Sequence, residues 1–275
     1  MSANTPVAAF FDLDKTIIAT SSAFAFGKEF LHNGMITRQE AWDLYLSKAQ
    51  YMLMGQSSEK MDSTRDALAQ MVAGWEVDDI QRITRETLRE VVAPAIYAEA
   101  RELIDAHRAK GHHVIIISAS AKILVEPIAQ ELGVDTVVAT EMAIENGKLT
   151  GEITRYLKGD AKAEAVRQFA AEHGFDLDAS FAYSDSATDI PMLELVGNPV
   201  AVNPDRALKK HALANGWQAR TFKNPEPLIQ MPNAREVGIG AGVIAGVTAL
   251  AVAGVLIARA VSGSGKGAGE KRRSA

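Results

Sequence analysis

Asp12 and Asp14, separated by Leu13 in the run Asp12-Leu13-Asp14-Lys15-Thr16, stand directly after a short apolar stretch from Val7 to Phe11. Residues two apart in an extended chain point the same way, so both carboxylates can face one ligand just past a strand end. Two carboxylates that close repel each other unless a cation or a shared proton relieves them, which favours a divalent metal between them. Taken alone, such a pair also fits a surface turn or a helix cap. A second acidic pair, Asp185 and Asp189, follows Phe181-Ala182-Tyr183-Ser184. Singly, Asp185 reads as a cap for a following helix and Asp189 as a first-turn residue. Ser118 closes Ile115-Ile116-Ile117, where a serine either caps the helix starting near Lys122 or helps that helix terminus hold a phosphate. Lys162 falls in the first turn of an expected helix, where its charge opposes the helix dipole, so its role lies elsewhere; Lys158 competes for that role.

The elements that must carry these residues follow from periodicity. Val7 to Phe11, bounded by Pro6 and Asp12, reads as a buried strand. From about Ser22 to Val92 apolar residues recur at three- and four-residue spacing, which predicts about four helices and no strand. Pro94 then opens a helix ending at Gly111, and Val114 to Ile117 reads as a second buried strand. A helix stopping near Gly133, a strand from Thr136 to Ala139 and a hairpin turned at Asn146-Gly147 come next. They are followed by a helix from Asp160 to His173, a strand from Phe181 to Tyr183, a helix after Asp185, and a strand-helix unit from Pro199 to Asn215. Strands alternating with helices predict an α/β fold, a doubly wound parallel sheet with Rossmann-like order, whose ligands bind beyond the C-terminal strand edge. The all-helical stretch is then an insertion above that edge.

The ordered set of Asp12 and Asp14, Ser118, Lys162, and Asp185 and Asp189 resembles the signature of the haloacid dehalogenase superfamily, in its phosphoserine-phosphatase-like branch with a helical cap. The resemblance spans about residues 7 to 222. It implies a magnesium-dependent phosphomonoester hydrolase with Asp12 as nucleophile, forming a phospho-aspartyl intermediate, and Asp14 as proton donor and acceptor. Ser118 and Lys162 would hold the phosphoryl group. Asp12, Asp14 through its carbonyl oxygen, and Asp185 would ligate Mg²⁺, with Asp189 supporting the metal site. Asp14-Lys15-Thr16 also echoes the Asp-Lys-Thr of cation-pumping ATPases, but the Asp-x-Asp-x-Thr register fits Asp12, Asp14 and Thr16. An Asp at the acid/base position implies a hydrolase.

The resemblance departs at Ser21, where phosphoserine phosphatases carry a glutamate nine residues after the nucleophile. Without that charge phosphoserine is not the assigned substrate. The expected cap instead holds Met35, Met52, Met54, Met61 and Met71, more than half of the nine methionines, with Trp42 and Trp75. Their ordinary place is a helical core. The alternative is an adaptable apolar lining for a bulkier substrate such as a lipid phosphate.

Composition bounds the rest. Lys+Arg 29 against Asp+Glu 34 gives a net charge of −5, no field for a polyanion, so nucleic acid is not an expected partner. Cysteine is absent, which excludes disulfides, a thiolate nucleophile and zinc-thiolate sites. The segment MSANTPVAAFFDLDKT does not read as a signal peptide. Val237 to Ala258 is free of charge and long enough for one bilayer crossing, and Gly238, Gly242 and Gly246 fall at the spacing that lets helices approach closely. The expected organisation is a core from 1–16 and 93–224, a helical cap from 17–92, a linker from 225–236, a transmembrane helix from 237–258 and a basic flexible tail from 259–275. Basic residues flanking the apolar segment weakly favour a cytoplasmic tail. The lack of an export signal outweighs that count, so the expected location is the cell membrane, single-pass, with the catalytic domain cytoplasmic. A homodimer through the glycine face is a further expectation. A rival reading is a membrane-tethered regulatory protein in growth or differentiation control that uses the fold mainly for binding.

Overall fold

The computed structural model describes residues 5–37, 39–40, 42, 58–134 and 136–224. The expected transmembrane helix, its linker and tail lie outside the described residues, as does most of the helix expected around Trp42 to Leu46. Among the described residues no helix is long and apolar enough to cross a membrane.

The chain starts with β1 (Ala8–Phe11) and enters the helices α1 (Ser22–His32), α2 (Ser58–Met71) and α3 (Val77–Thr87). A π-helical turn at Leu88–Val92 and a 3₁₀ turn at Ala93–Ala95 lead to α4 (Ala98–Ala109), β2 (His113–Ala121) and α5 (Lys122–Glu131). The hairpin β3 (Thr136–Glu145) and β4 (Lys148–Arg155) follows, then α6 (Asp160–His173) and β5 (Phe181–Ser184). A 3₁₀ turn at Ala187–Asp189, α7 (Ile190–Leu193), β6 (Asn198–Val202), α8 (Arg206–Ala214) and β7 (Gln218–Arg220) complete it.

These strands form a 7-stranded sheet in the order β4-β3-β2-β1-β5-β6-β7. All neighbours pair in parallel except β3 with β4. The chain builds outward from β1 to β2, β3 and β4, then returns to the other side of β1. The topological switch therefore lies between β1 and β5, where open sheets of this kind leave a crevice at the C-terminal strand ends. The alternation within β1 serves both faces. Ala9 and Phe11 pack with Ile116 and the helices α1, α3, α4 and α5, while Ala8 and Phe10 pack with Ile115 and Ile117 against α6, α7 and α8. Burial on both faces is why these strands read as continuous apolar runs.

The helix expected to open at Pro94 is broken in two. Pro94 sits in the 3₁₀ turn, and α4 begins only at Ala98. The intervening residues are extended because they bond to the outgoing chain beside β1. Ala19 N–H donates to Ala95 O at 2.8 Å, Tyr97 N–H to Ile17 O at 3.0 Å, and Ile18 bridges Ile96 antiparallel. The helical insertion thus leaves and re-enters the core through paired chain segments. It is also joined to the hairpin: Gly74 N–H donates to Leu149 O at 2.7 Å, Leu149 N–H to Trp75 O at 3.0 Å and Val77 N–H to Gly147 O at 2.8 Å. A Lys148–Glu76 ion pair at 2.9 Å lies alongside. Strand β7, absent from the sequence expectation, is short and exposed, with no apolar alternation to announce it.

Beneath the crevice, Phe11 stacks on Tyr183 with centroids 4.3 Å apart. The Tyr183 hydroxyl lies 2.7 Å from His107 Nε2, and His107 Nδ1 lies 2.8 Å from His112 Nδ1. A neutral His107 satisfies both contacts, accepting a hydrogen bond from the tyrosine hydroxyl at Nε2 and donating Nδ1–H to His112. Burial, then the charges of His112, Lys110 and Arg220, push its pKa from 6.5 down to about 4. The folded state therefore resists a proton that the unfolded chain accepts. Stability from this group is complete above pH 6.5 and declines as pH falls from 6.5 towards 4, by at most about 3 kcal/mol. Urea unfolding at pH 7.5 and pH 5 should show that decline, and His107→Gln should have a shallower one. Parallel pH slopes in the two proteins would refute the assignment.

Candidate active site

At the switch point, β1 delivers Asp12, whose N–H continues the ladder by donating to Tyr183 O at 2.9 Å. The chain then wraps around one carbonyl: Thr16, Ile17 and Ile18 direct their N–H groups to Leu13 O at 3.3, 2.9 and 3.1 Å. Closing so tight a turn takes Lys15 to φ 65°, a left-handed conformation that costs a non-glycine residue energy. Asp12 is buried and Asp14 half-buried on either side of Leu13.

The opposite wall comes from α6. Gly159 caps it at φ 58° and ψ −122°, a backbone setting that favours glycine. Lys162 lies in the first turn that this cap starts, and only 2% of it is exposed. Its Nζ donates to Asp12 Oδ1 at 2.6 Å and to Asp189 Oδ2 at 2.8 Å. The lysine set against its own helix dipole is thus held by carboxylates from two other segments. These contacts place Lys162, one of the two lysines weighed in the sequence, against Asp12 and Asp189.

Asp189 completes that group. Its Oδ2 also accepts the Ser184 hydroxyl at 2.7 Å. It is buried and lies in the first turn of the 3₁₀ helix, as its position in the sequence allows, but its side chain meets Lys162 and Ser184. Ser186 caps the 3₁₀ turn, accepting the Thr188 N–H. The loop is pinned from below by Asp205, which accepts N–H groups from Ala187 at 2.9 Å and Leu208 at 2.7 Å while its own N–H donates to Asp185 O at 2.8 Å. Asp205 was not singled out in the sequence; its only local mark is the position before α8.

Ser118 is buried within β2 in register with Ala139 of β3, and the residue preceding α5 is Ala121. Ser118 is therefore not a helix cap. Its Oγ accepts the Ser120 N–H at 3.1 Å. Asp14 has separate partners: Oδ1 accepts the Ser22 N–H at 2.8 Å and Oδ2 the Ser120 hydroxyl at 2.7 Å. Ser120 was also missed, because a serine two places beyond a strand end carries no periodic signal. Ser21, the position of the family's glutamate, is the N-cap residue of α1 and makes no side-chain cap bond.

The electrostatics bear on a metal. Burial pushes the Asp12 carboxyl up to about 8; Lys162 pulls it down, while Asp189 and Asp185 push it further up. Burial likewise raises Asp185 to about 6, against the pull of Lys15 and Lys162. Lys162 itself is held protonated, the two carboxylates outweighing the cost of burying its charge. The carboxyls of Asp12, Asp185 and Asp189 thus outnumber the ammonium groups of Lys15 and Lys162 that act on them, and the donors are all oxygens, which fits a hard divalent cation. Among the described residues no three His, Cys, Asp or Glu side chains form a ready metal-ligating group. The set implied by the sequence resemblance needs only two carboxylates and the Asp14 carbonyl.

Residues 9–194 match the haloacid dehalogenase-like hydrolase family, and the chain belongs to it. It is an enzyme, a phosphatase of the phosphoserine-phosphatase-like kind within that family. Its relatives include "Probable phosphatase Rv3661" of Mycobacterium tuberculosis, 44% identical over 91% of this chain and 88% of its own length. The "Inhibition of morphological differentiation protein" of Streptomyces azureus is 46% identical over 81% of each chain. "Phosphoserine phosphatase SerB1" of M. tuberculosis is 35% identical over 86% of this chain and 79% of its own. A protein of unknown function from Bordetella pertussis superimposes with a TM-score of 0.69 at 27% identity, over 78% of this chain and 98% of that one. A phosphoserine phosphatase solved as a phospho-aspartyl intermediate analogue shares the fold, with a TM-score of 0.58 at 19% identity over 81% and 96% of the two chains.

Replacing Lys162 by Met would leave Asp12 and Asp189 buried without their cation. Unfolding in urea with EDTA should show a loss on the order of 3 kcal/mol. Asp189→Asn, which leaves the Lys162–Asp12 pair intact, should cost less. Equal losses would mean that the ammonium is not the common partner.

Proposed function

We propose that this phosphatase hydrolyses a small-molecule or lipid phosphomonoester through a phospho-aspartyl intermediate on Asp12, with magnesium bound. The observation that carries the reading is the buried Lys162–Asp12 pair at the switch point of the sheet. A nucleophilic carboxylate must be ionised and aimed: Lys162 aims Asp12 and pulls its pKa down against burial, a bound cation would supply the remaining positive charge, and the remaining donor capacity of Lys162 is open to a phosphoryl oxygen. In the proposed first step Asp12 Oδ attacks phosphorus and the ester P–O bond breaks as Asp14 gives its proton to the leaving oxygen. In the second, water attacks the same phosphorus, Asp14 takes the water's proton, and Asp12 is released. Ser118 and Lys162 hold the transferring group. Asp12, the Asp14 carbonyl and Asp185 would hold Mg²⁺, which supplies charge neutralisation for the phosphoryl oxygens.

Asp189 acts in this scheme through Lys162, to which it is bonded, and so supports the metal site indirectly. The regulatory alternative is not favoured, since binding alone gives no reason to bury an ammonium against two carboxylates. We further propose a membrane location through residues 237–258, with the catalytic domain on the cytoplasmic side and a glycine-mediated homodimer. Detergent-free fractionation tests this, and a wholly soluble protein would defeat the anchor.

Purified enzyme should release phosphate from p-nitrophenyl phosphate with Mg²⁺, lose that activity in EDTA and regain it on adding Mg²⁺ back. Asp12→Asn should reduce turnover at least a thousandfold while the protein still folds; activity near that of the parent would refute the nucleophile. A panel of lysophosphatidic acid, phosphoserine and sugar phosphates, compared by kcat/KM, identifies the substrate class.

A further inference from the structure

We infer that Ser120 is a positioning residue for the acid/base carboxylate: its hydroxyl fixes the oxygen of Asp14 that carries the transferred proton. The inference rests on the acid/base role proposed above for Asp14 and extends it to a residue outside the family's motif set.

The placement of Ser120 is set in β2. Its pairing with β3 runs in register through Ser118↔Ala139 and resumes at Ala121↔Thr140, so Ala119 and Ser120 have no partner on β3. Such a bulge re-aims the side chains it contains. The bulge is held from two directions: the buried Thr140 hydroxyl donates to Ala119 O at 2.7 Å, and Ser120 N–H donates to Ser118 Oγ at 3.1 Å. Thr140 Oγ1 is fixed in turn by the Leu157 N–H at 3.2 Å. Ser120 Oγ consequently meets Asp14 Oδ2 at 2.7 Å, across 106 positions of sequence.

The two partners of Asp14 differ in kind. Ser22 N–H, at the start of α1, can only donate, so Oδ1 has to remain an acceptor. A proton on Asp14 therefore belongs on Oδ2. Its partner there is a hydroxyl, which donates to Oδ2 and so fixes that oxygen while leaving its other lone pair to carry the proton towards the leaving group. Ser120 can thus keep Asp14 in one orientation through both halves of the cycle. In the first half the proton leaves Oδ2 for the leaving alkoxide as the ester P–O bond breaks. In the second it returns from the attacking water as the phospho-aspartyl bond breaks. The amide from α1 and the hydroxyl from β2 grip the carboxylate from the cap side and the core side respectively.

Leaving-group dependence tests the assignment, because only a poor leaving group needs the proton of Asp14 for the first step. Initial rates with Mg²⁺ are measured on β-glycerophosphate, which expels an alkoxide, and on p-nitrophenyl phosphate, which expels a stable phenolate. Ser120→Ala should lower kcat/KM for β-glycerophosphate by about tenfold or more and change it less than threefold for p-nitrophenyl phosphate. Ser120→Thr, which keeps the hydroxyl, should restore most of the loss and guards against a folding defect in the alanine variant. Equal losses on both substrates, or no loss on either, would overturn the inference while leaving the proposed function standing. Absence of hydrolysis by the parent enzyme on either substrate would instead remove the reading on which it rests.

Discussion

One buried ammonium organises this molecule. Lys162 reaches from the first turn of α6 into the crevice between β1 and β5, where it meets Asp12 from one strand end and Asp189 from the turn beyond the other. Burying three charges is expensive, and the mutual attraction repays it only if the geometry is held from all sides. The surroundings supply that hold: the Gly159 cap sets the start of α6, Ser184 fixes Asp189, and Asp205 ties down the loop between them. The surplus of carboxylate over ammonium is the feature that invites a divalent cation.

The helical insertion is constrained at its base and at its far side. At the base, residues 17–19 and 95–97 bond to one another, and Ser22 at the head of α1 donates to Asp14. At the far side, residues 74–77 extend the hairpin formed by β3 and β4, with the Glu76–Lys148 pair alongside. Any movement of the insertion over the crevice must therefore strain or break one of these joints, and the joint at Ser22 touches the proposed acid/base directly. In the proposed mechanism that single amide links cap position to proton transfer.

Below the crevice the support is apolar and aromatic. Phe11 and Tyr183 stack immediately beneath Asp12 and Ser184, and His107 stands behind them as a neutral, doubly bonded ring. A dry floor keeps water from weakening the charge interactions above it, because the same pair of charges attracts more strongly where the effective dielectric is low. That floor makes the stability of the fold sensitive to acid through His107.

The apolar runs of β1, β2 and β5, the hairpin turn at Asn146-Gly147 and the helix from Asp160 to His173 were legible in the sequence, because burial on both faces, φ > 0 at a turn and a cap glycine each leave a local mark. Lys162 also left a local mark, its charge opposing its own helix dipole, whereas Asp12, Asp14, Asp185 and Asp189 stood out only through their ordered resemblance to a known family. What the tertiary structure decided was which partner each of them meets. Lys162 meets Asp12 and Asp189, Ser118 lies inside a strand and caps nothing, and Pro94 breaks its helix because the extended residues after it are needed to bond the outgoing chain. Ser120 and Asp205 were invisible for the same reason. Their importance comes from hydrogen bonds to residues far away in sequence, and no periodicity of a single chain records which hydroxyl a bulge will turn towards a carboxylate 106 positions distant.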